Sequence, residues 1–459
     1  MYWMRSYYPL GYESTWCSAI RCTEDGGYLL AGTASFSQFA TGFLLVKLQY
    51  NGQIEWWKCY NPLPSLGRVT CLEVVGTDCY VGGFTLDAGR TAAVVMKVDS
   101  ASGEMYWTRL YGAQQAHTLP SALHKRDENR VALAGRYETL ESASQHFWYV
   151  GLDADGGVET HRTYDYCYLD GSSVKRAQGT GIDIAPSGGD RWLLGGNLTF
   201  PDDPSNLWLV EVTQDGDLCS YMRTGGMHDD QMTAMQQVDD PSLHPTFVLC
   251  GFTRYSSMGQ FDMMVIKLQL VAQLGGLVKK GIMWSKAYQF QGASHAYDLA
   301  QTTDGDLIVV GSAVTSTDSL DGVIVKLNSS DGMVQWVRGY GSHQRADGLY
   351  TVQPTPADNG FVTAGYNTGY PIREFIDPFT NQVRKQRNFW ALALDAQANS
   401  SDDDSCTRVE LPMPVPRDLD WDPHCNQPPE PTMDHPPLAV RSLEPTRSEL
   451  VLTERLICE

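Results

Sequence analysis

Carboxylates at alternate positions form the clearest metal-binding pattern in the sequence. Asp418, Asp420 and Asp422 lie in one segment, and carboxylate oxygens are ligands that calcium prefers. A calcium-binding loop also needs a glycine at its sixth position and a glutamate at its twelfth, where Pro423 and Pro429 stand instead. We therefore predict no metal site.

Cysteines and histidines are too scattered to indicate catalysis. The 11 cysteines include no Cys-x-x-Cys pair, which argues against a zinc or thioredoxin-like site. Cysteines inside apolar runs, such as Cys250, are expected to be buried thiols, and the sequence leaves disulfide pairing open. The ten histidines join no His-Glu-x-x-His or nucleophile motif. We therefore expect no catalytic residue and no cofactor, hence a protein that is not an enzyme.

Charge and composition exclude two classes of partner. The net charge of −20 argues against nucleic acid, because phosphate binding needs a basic surface. The longest apolar runs, such as residues 43–46, fall far short of the roughly 18 residues of a membrane span. The 43 glycines and 23 prolines indicate many turns between short strands.

A repeated segment is the main evidence for the fold. The motif DGGYLLAGT begins at Asp25, and a similar motif, DGDLIVVGS, begins at Asp304. In each copy a glycine ends an apolar run and a second apolar run follows, such as LLVKL or VIVKL. The seven glycines, 51 to 61 residues apart, are Gly32, Gly83, Gly135, Gly196, Gly251, Gly311 and Gly365. Such a period indicates a repeat architecture.

Each repeat holds four predicted strands. The runs are rich in Val, Leu, Ile, Tyr and Trp, and Asp-Gly pairs supply tight turns. The fourth strand carries a tryptophan, a base and a tyrosine at alternate positions, as in Trp56, Lys58 and Tyr60. Four antiparallel strands in about 50 residues form a propeller blade. We predict an all-β, seven-bladed β-propeller over residues 1–397.

The N-terminus is predicted to close the ring. The fourth strand occurs only six times after the first three types, because the last repeat runs into a polar segment after Leu394. Trp3, Arg5 and Tyr7 match the missing pattern. We therefore expect them in the outer strand of the seventh blade, which removes an open sheet edge.

Two resemblances follow from these motifs. The pattern DGGYLLAGT…LLVKL…W-x-K-x-Y resembles propeller repeats of poorly characterised secreted and surface proteins of microbes, which implies an extracellular or cell-surface setting. Asp99, Gly103 and Trp107 resemble the DxxTGxxxW docking motif of quinoprotein propellers. That motif is structural in those proteins, which usually have eight blades, and no set of cofactor ligands accompanies it here.

The tail, residues 398–459, differs from the repeats. Nine prolines between residues 411 and 437 favour an extended chain without a core. Its apolar end is expected to dock on a protein surface, on this chain or on a neighbour; the residues are Leu450, Val451, Leu452, Leu456 and Ile457. Strand addition at a sheet edge is one way to do so.

Two further sets of residues are candidate contact or modification sites. A basic insertion in the seventh blade, with Arg373, Arg384, Lys385 and Arg387, could bind an acidic partner. Three Asn-x-Ser/Thr sequons, at Asn197, Asn328 and Asn399, lie in predicted loops and could carry glycans if the protein is secreted.

These features favour a non-catalytic scaffold. We expect a subunit or docking platform of a larger assembly, with protein partners or copies of itself bound through the tail. Head-to-tail contact between copies would give a filament. The alternatives are a carbohydrate-binding propeller, an enzyme with a site at the propeller mouth, and an intracellular assembly subunit. Repeated exposed aromatics would favour sugar binding, and clustered ionisable groups over the channel would favour an enzyme.

Overall fold

Strands are the only regular elements among the residues that the computed structural model describes. These are residues 2–9, 13–37, 40–61, 66–113, 115–170, 173–201, 204–225, 228–241, 244–254, 259–272, 278–316, 319–341, 346–355, 359–368, 374–376, 383–385, 387–400, 408–409, 415–418, 432–434, 439–442, 446–448 and 452–456. Beyond residue 400 the description is of the backbone alone. No helix in this part of the chain is long and apolar enough to cross a membrane.

Seven four-stranded antiparallel sheets, numbered here as blades 1 to 7 in chain order, form the body of the protein. Strand β1 (Trp3–Pro9) belongs to blade 7. Blades 1 to 3 contain β2 (Ser14–Cys22), β3 (Tyr28–Ser37), β4 (Ala40–Leu48) and β5 (Ile54–Asn61); β6 (Gly67–Val75), β7 (Asp78–Asp87), β8 (Arg90–Asp99) and β9 (Met105–Gly112); and β10 (Ala116–Lys125), β11 (Val131–Thr139), β12 (Gln145–Leu152) and β13 (Val158–Asp165). A separate hairpin follows, with β14 (Cys167–Asp170) and β15 (Ser173–Arg176).

Blades 4 to 7 repeat the arrangement. Their strands are β16 (Gln178–Pro186), β17 (Arg191–Thr199), β18 (Asn206–Thr213) and β19 (Leu218–Thr224); β20 (Asp230–Val238), β21 (Thr246–Thr253), β22 (Asp262–Ala272) and β23 (Val278–Gln289); β24 (Ser294–Gln301), β25 (Leu307–Ser316), β26 (Ser319–Leu327) and β27 (Val334–Tyr340); and β28 (Gly348–Thr355), β29 (Gly360–Asn367) and β32 (Asn388–Leu394) with β1. A second hairpin, β30 (Glu374–Ile376) and β31 (Val383–Lys385), is inserted in blade 7.

The blades form a closed ring around a channel. The first strand of each blade contacts the first strand of the next, and β28 contacts β2. Strand β1 pairs antiparallel with β32, with Trp3 opposite Ala393 and Tyr7 opposite Phe389. The predicted seven-bladed propeller and its closure by the N-terminal strand are therefore confirmed.

The core lies between neighbouring blades. Middle strands are buried on both faces, as the continuous apolar runs predict. Leu30 and Val46 of blade 1, for example, pack in one cluster with Phe389 and Trp3 of blade 7. Each such side chain contributes roughly 1.5–3 kcal/mol when fully buried.

The tryptophan, base and tyrosine of the fourth strand pack against a turn of the next blade. Trp3 and Arg5 pack against Gly52 so closely that a Cβ there would lie 2.5 Å from the indole. Tyr7 donates its hydroxyl hydrogen to the Gly52 carbonyl at 2.7 Å. The same bond recurs at five more junctions, as Tyr60–Gly103, Tyr111–Gly156, Tyr164–Gly216, Tyr288–Gly332 and Tyr340–Ala398. All six acceptor residues have positive φ, which favours glycine at five of them.

The junction of blades 4 and 5 departs from this rule on both sides. Thr224 occupies the tyrosine position, opposite Leu207, and its buried hydroxyl has no hydrogen-bond partner among the described residues. The turn that would receive a tyrosine is replaced in blade 5 by an extended β22–β23 hairpin, whose pairing continues to Ala272 and Val278.

The acidic turn residue of the repeat also binds the lysine of the third strand. Lys47 is buried and lies 2.6 Å from the Asp25 carboxylate, and Lys326 lies 2.5 Å from Asp304. Burial alone would raise the pKa of Asp25, but its bonds to Lys47 and Thr23 lower that pKa to about 2. The repeated Lys and Asp are therefore structural.

Six short tail strands add to the outer edges of this chain's own blades. They are β33 (Arg408–Val409), β34 (Val415–Asp418), β35 (Thr432–Asp434), β36 (Ala439–Ser442), β37 (Thr446–Ser448) and β38 (Leu452–Leu456). In this order they pair with blades 6, 5, 3, 2, 1 and 7, so the tail runs around the ring against the direction of the blades.

Candidate binding site in the central channel

One bulge in every first strand shapes the channel. The register of β2 on β3, for example, shifts between Cys17 and Ala19, so Ser18 is the extra residue. The seven extra residues are Ser18, Thr70, Ser121, Ile182, Thr233, Tyr297 and Tyr350. All seven line one chamber of about 130 Å³, which we call the small chamber. Bulges re-aim side chains, and here they turn seven side chains towards one space.

Hydroxyls at three bulges join neighbouring blades. Ser18 donates to the Val69 carbonyl at 2.9 Å, and Thr70 donates to the Pro120 carbonyl at 2.7 Å. Thr233 bonds the next blade in the same way. These hydroxyl groups donate hydrogen bonds that join neighbouring blades. They are therefore not arranged to act as nucleophiles.

Charged residues from three separate blades meet at one level of the channel. Arg21, Asp183 and Asp298 line both the small chamber and a second chamber of about 480 Å³. Glu73 and His124 also line this large chamber. Arg21 binds Glu73 through Nε at 3.4 Å, and its charge also lowers the pKa of both Asp183 and Asp298, so one base faces three acids in the linings.

Both aspartates are held by backbone amides. Asp183 accepts bonds from the amides of Ile184 at 2.8 Å and Met235 at 2.7 Å, and Met235 belongs to the next blade. Asp298 accepts equivalent bonds from Leu299 and Val352. Each carboxylate therefore fixes the junction with the following blade.

Burial nevertheless disfavours their charged forms. It raises the pKa of Asp183 to about 7, against the lowering effect of the two amides, and the charge of Asp298 adds to the rise. Burial raises the pKa of Asp298 as well. The channel thus contains a carboxyl group that gains or loses a proton near neutral pH.

A line of aromatic rings leads to the small chamber across blades 5, 6 and 7. We call this line the aromatic arc; its members are Phe261, Phe252, His295, Tyr297, Tyr350 and Tyr366. Neighbouring ring centroids lie 4.7 to 6.2 Å apart. All but Tyr366 are half-buried. Burial lowers the pKa of His295 and raises the pKa of Tyr350 and Tyr366, so these three rings are uncharged at neutral pH.

A guanidinium covers the ring at each end of the arc. Arg254 lies 4.7 Å from the centre of Phe261, and Arg387 lies 4.6 Å from the centre of Tyr366. The middle of the arc is formed by Tyr297 and Tyr350, which also line the small chamber. The arrangement offers aromatic faces and carboxylates to a ligand, and no side chain here is set up as a nucleophile: burial raises the pKa of Cys71, the thiol of the small chamber, to about 12.

The predicted site residues lie in several places. Trp3, Arg5 and Tyr7 close the ring as described, and Arg387 stands at the end of the arc. Strand β31 contains Arg384 and Lys385, and β38 contains Leu452 and Leu456, with the backbone alone described. Four predicted contact residues lie outside the described residues: Arg373, Leu450, Val451 and Ile457.

The sequons differ in their surroundings. The prediction that all three lie in loops is wrong for Asn197, which lies in β17 and bonds both the amide and the carbonyl of Met232 in blade 5. A glycan on its nitrogen would break one of these bonds. Asn328 and Asn399 lie in turns, where they bond Ser330 and Asp395.

The structure describes the quinoprotein-like motif in full and the acidic motif only in part. Trp107 donates to the Ala154 carbonyl, and Gly103 lies under Trp56, so the quinoprotein-like motif joins blades. Asp418 lies in β34, and Asp420 and Asp422 lie outside the described residues. Among the described residues, no three His, Cys, Asp or Glu side chains are grouped to hold a metal ion.

Sequence reasoning missed Asp183, Asp298, Tyr297 and Tyr350. An alignment of the seven first strands at the bulge would have revealed them. The residue after the bulge is Ala, Cys or Thr in five blades and Asp in blades 4 and 6. The extra residue of the bulge is aromatic only in blades 6 and 7.

Comparisons with known proteins give only a distant likeness to solved structures. No protein-family model and no curated protein matches the chain. Among solved structures, the phage phi92 endosialidase is similar over 87% of this chain and 70% of its own, with 9% identity and a TM-score of 0.41. The quinohemoprotein alcohol dehydrogenase from Comamonas testosteroni is similar over 87% of this chain and 77% of its own, also with 9% identity and a TM-score of 0.41. Likeness at this level carries no information on activity.

Proposed function

We propose that this protein is a non-catalytic docking platform, and that a partner protein docks over the aromatic arc that leads to the small chamber. The supporting observation is the arc itself: five half-buried rings in a line, with an arginine at each end. Tyrosine, phenylalanine and arginine are enriched in the cores of protein interfaces.

The polar groups of the channel support a binding role over catalysis. Clustered ionisable groups line the channel, which was the criterion for an enzyme. However, the carboxylates are held by two backbone amides each, and the bulge hydroxyls of Ser18, Thr70 and Thr233 bond neighbouring carbonyls. Groups that fix the ring cannot move during a reaction without cost to its stability.

A sugar-binding role has less support. Repeated sites between blades would place equivalent exposed aromatics on several blades. The arc occupies blades 5, 6 and 7 only, and the strongly exposed aromatics among the described residues, Tyr50 and Tyr106, stand at different positions of the repeat. The tail, whose strands pair with this chain's own outer strands, acts in this proposal as a strap that stabilises the platform.

Site-specific cross-linking in the native source tests the proposal. A photoreactive phenylalanine analogue replaces Phe252 in the arc, or Tyr106, which is 56% exposed on an outer strand, as the matched control. We expect a single protein partner to be cross-linked from position 252 and not from position 106.

The affinity of the purified partner completes the test. Phe252→Ala and His295→Ala should weaken binding at least tenfold, and Tyr106→Ala should leave it unchanged. Equal cross-linking at both positions, or equal affinity of the arc variants and wild type, would refute the proposal. Cross-links to a glycan-bearing molecule alone would favour sugar binding instead.

A further inference from the structure

We propose that the small chamber binds a cationic group, the ammonium or guanidinium head of a lysine or arginine side chain of the docked partner. Aromatic side chains come from Tyr297 and Tyr350, and carboxylates come from Asp183 and Asp298, all in the lining of one chamber. This inference rests on the proposed function for the identity of the partner, but the chamber's chemistry can be tested alone.

The carboxylates in the lining of the small chamber favour a cation as its ligand. Arg21 is paired with Glu73, so Asp183 and Asp298 contribute two further negative charges when ionised. An anion would face both carboxylates, whereas a cation would offset them. Burial and the charge of Asp298 raise the pKa of Asp183 even though the charge of Arg21 lowers it, so a second cation beside Asp183 would favour its ionised form.

The aromatic walls select an organic cation over a metal ion. Cations bind the faces of tyrosine and phenylalanine when they lie within about 6 Å of the ring centre. The arc already holds a guanidinium in this way at each end, with Arg254 on Phe261 and Arg387 on Tyr366. Tyr297 and Tyr350 extend the same kind of surface into the chamber.

The volume fits the head of a side chain. The small chamber holds about 130 Å³. An apolar cavity of about 150 Å³ binds benzene, so a guanidinium with part of its methylene chain is of suitable size. The large chamber beyond Asp183 and Asp298 accommodates displaced water.

Titration of butylguanidinium into the full-length protein tests the inference directly, with butylurea as the neutral control of the same shape. Calorimetry should show binding of butylguanidinium and at least tenfold weaker binding of butylurea. Asp298→Asn should weaken butylguanidinium binding at least tenfold, and Tyr350→Leu severalfold. Glu24→Gln, which removes an exposed carboxylate that is in the lining of neither chamber, should leave it unchanged.

The pH dependence of binding provides a second readout. Binding should tighten as the pH rises from 5.5 to 8, since Asp183 must lose its proton to offset the cation. The other titratable groups of the two chambers are Arg21, Cys22, Glu73, Cys71, His124 and Asp298 with the two tyrosines. His124→Gln controls for protonation of that imidazole, and the pH effect should persist in this variant and shrink in Asp183→Asn.

The outcomes separate this inference from the proposed function. Equal affinity for butylguanidinium and butylurea, or unchanged affinity in a folded Asp298→Asn variant, would overturn the inference even if the partner cross-links to the arc. Variants are compared only after thermal denaturation shows that they fold. If butylguanidinium binds selectively but no partner cross-links to the arc, the small chamber binds cations as inferred, and the proposal of a docked partner protein is refuted.

Discussion

Replacing Asp183 with asparagine should change how the stability of the propeller depends on pH. In the folded protein the pKa of Asp183 is raised to about 7, whereas the unfolded chain has the ordinary value of 3.8. Between these values the folded state holds a proton that the unfolded state has lost. The contribution of this group to stability is therefore full below about pH 4 and is lost as the pH rises to about 7.

The size of the effect follows from the two pKa values. Each pH unit between them corresponds to about 1.4 kcal/mol, so the upper limit is roughly 4 kcal/mol. Contact with the water of the channel reduces it, and we expect about 2–3 kcal/mol. Asparagine has one acceptor oxygen for the two amides of Ile184 and Met235, and the lost bond costs about 1–3 kcal/mol at every pH.

The two effects oppose each other, so the sign of the difference depends on pH. Asp183→Asn should be less stable than wild type at pH 4.5 and should approach or exceed its stability at pH 8. Urea denaturation of both proteins at several pH values measures this, with Glu24→Gln as a control that changes little. A stability difference between Asp183→Asn and wild type that is constant from pH 4.5 to 8 would refute the reasoning about burial.

Three further predictions concern the ring and its thiols. Tyr111→Phe should cost about 1–3 kcal/mol, because it leaves the buried Gly156 carbonyl without its donor, while the exposed Tyr106→Phe should cost less than about 0.5 kcal/mol in the same denaturation assay. Deletion of residues 1–8 should expose the edge of β32 and promote aggregation, and a deletion variant that stays monomeric and equally heat-stable by light scattering and calorimetry would contradict the closure argument. Thiol titration of the denatured, unreduced protein should find at least seven reactive thiols, those at positions 17, 22, 59, 71, 79, 219 and 250; fewer would indicate disulfides among them.

The fold was predictable because its signals are local and repeated. A run such as residues 28–32 with an Asp-Gly turn before it fixes a hairpin, and seven copies fix the number of blades. The match of Trp3, Arg5 and Tyr7 to six later copies also predicted closure, since the three side chains grip the same kind of turn at every junction.

The proposed binding site was not predictable from motifs because its residues are far apart in sequence. Arg21, Asp183 and Asp298 meet only when three separate blades surround one channel. Asp183 and Asp298 each follow a one-residue bulge, and a bulge leaves no composition signal of its own. The tail illustrates a different difficulty: its apolar residues predicted docking, but the receptor strands depended on the finished ring.

The aspartates after the bulge in blades 4 and 6 are departures from the repeat that the structure of a blade does not require. Alanine after the bulge suffices in blades 1, 3 and 5, so an aspartate in blades 4 and 6 is not a requirement of the blade. Each aspartate gains two amide bonds but also accepts a desolvation cost large enough to raise its pKa. A stabilising role alone would favour threonine, which bonds the next blade without charge, as Thr351 does to the amide of Ile20. The charge itself is therefore the feature that needs an explanation, and a cationic ligand in the chamber provides one.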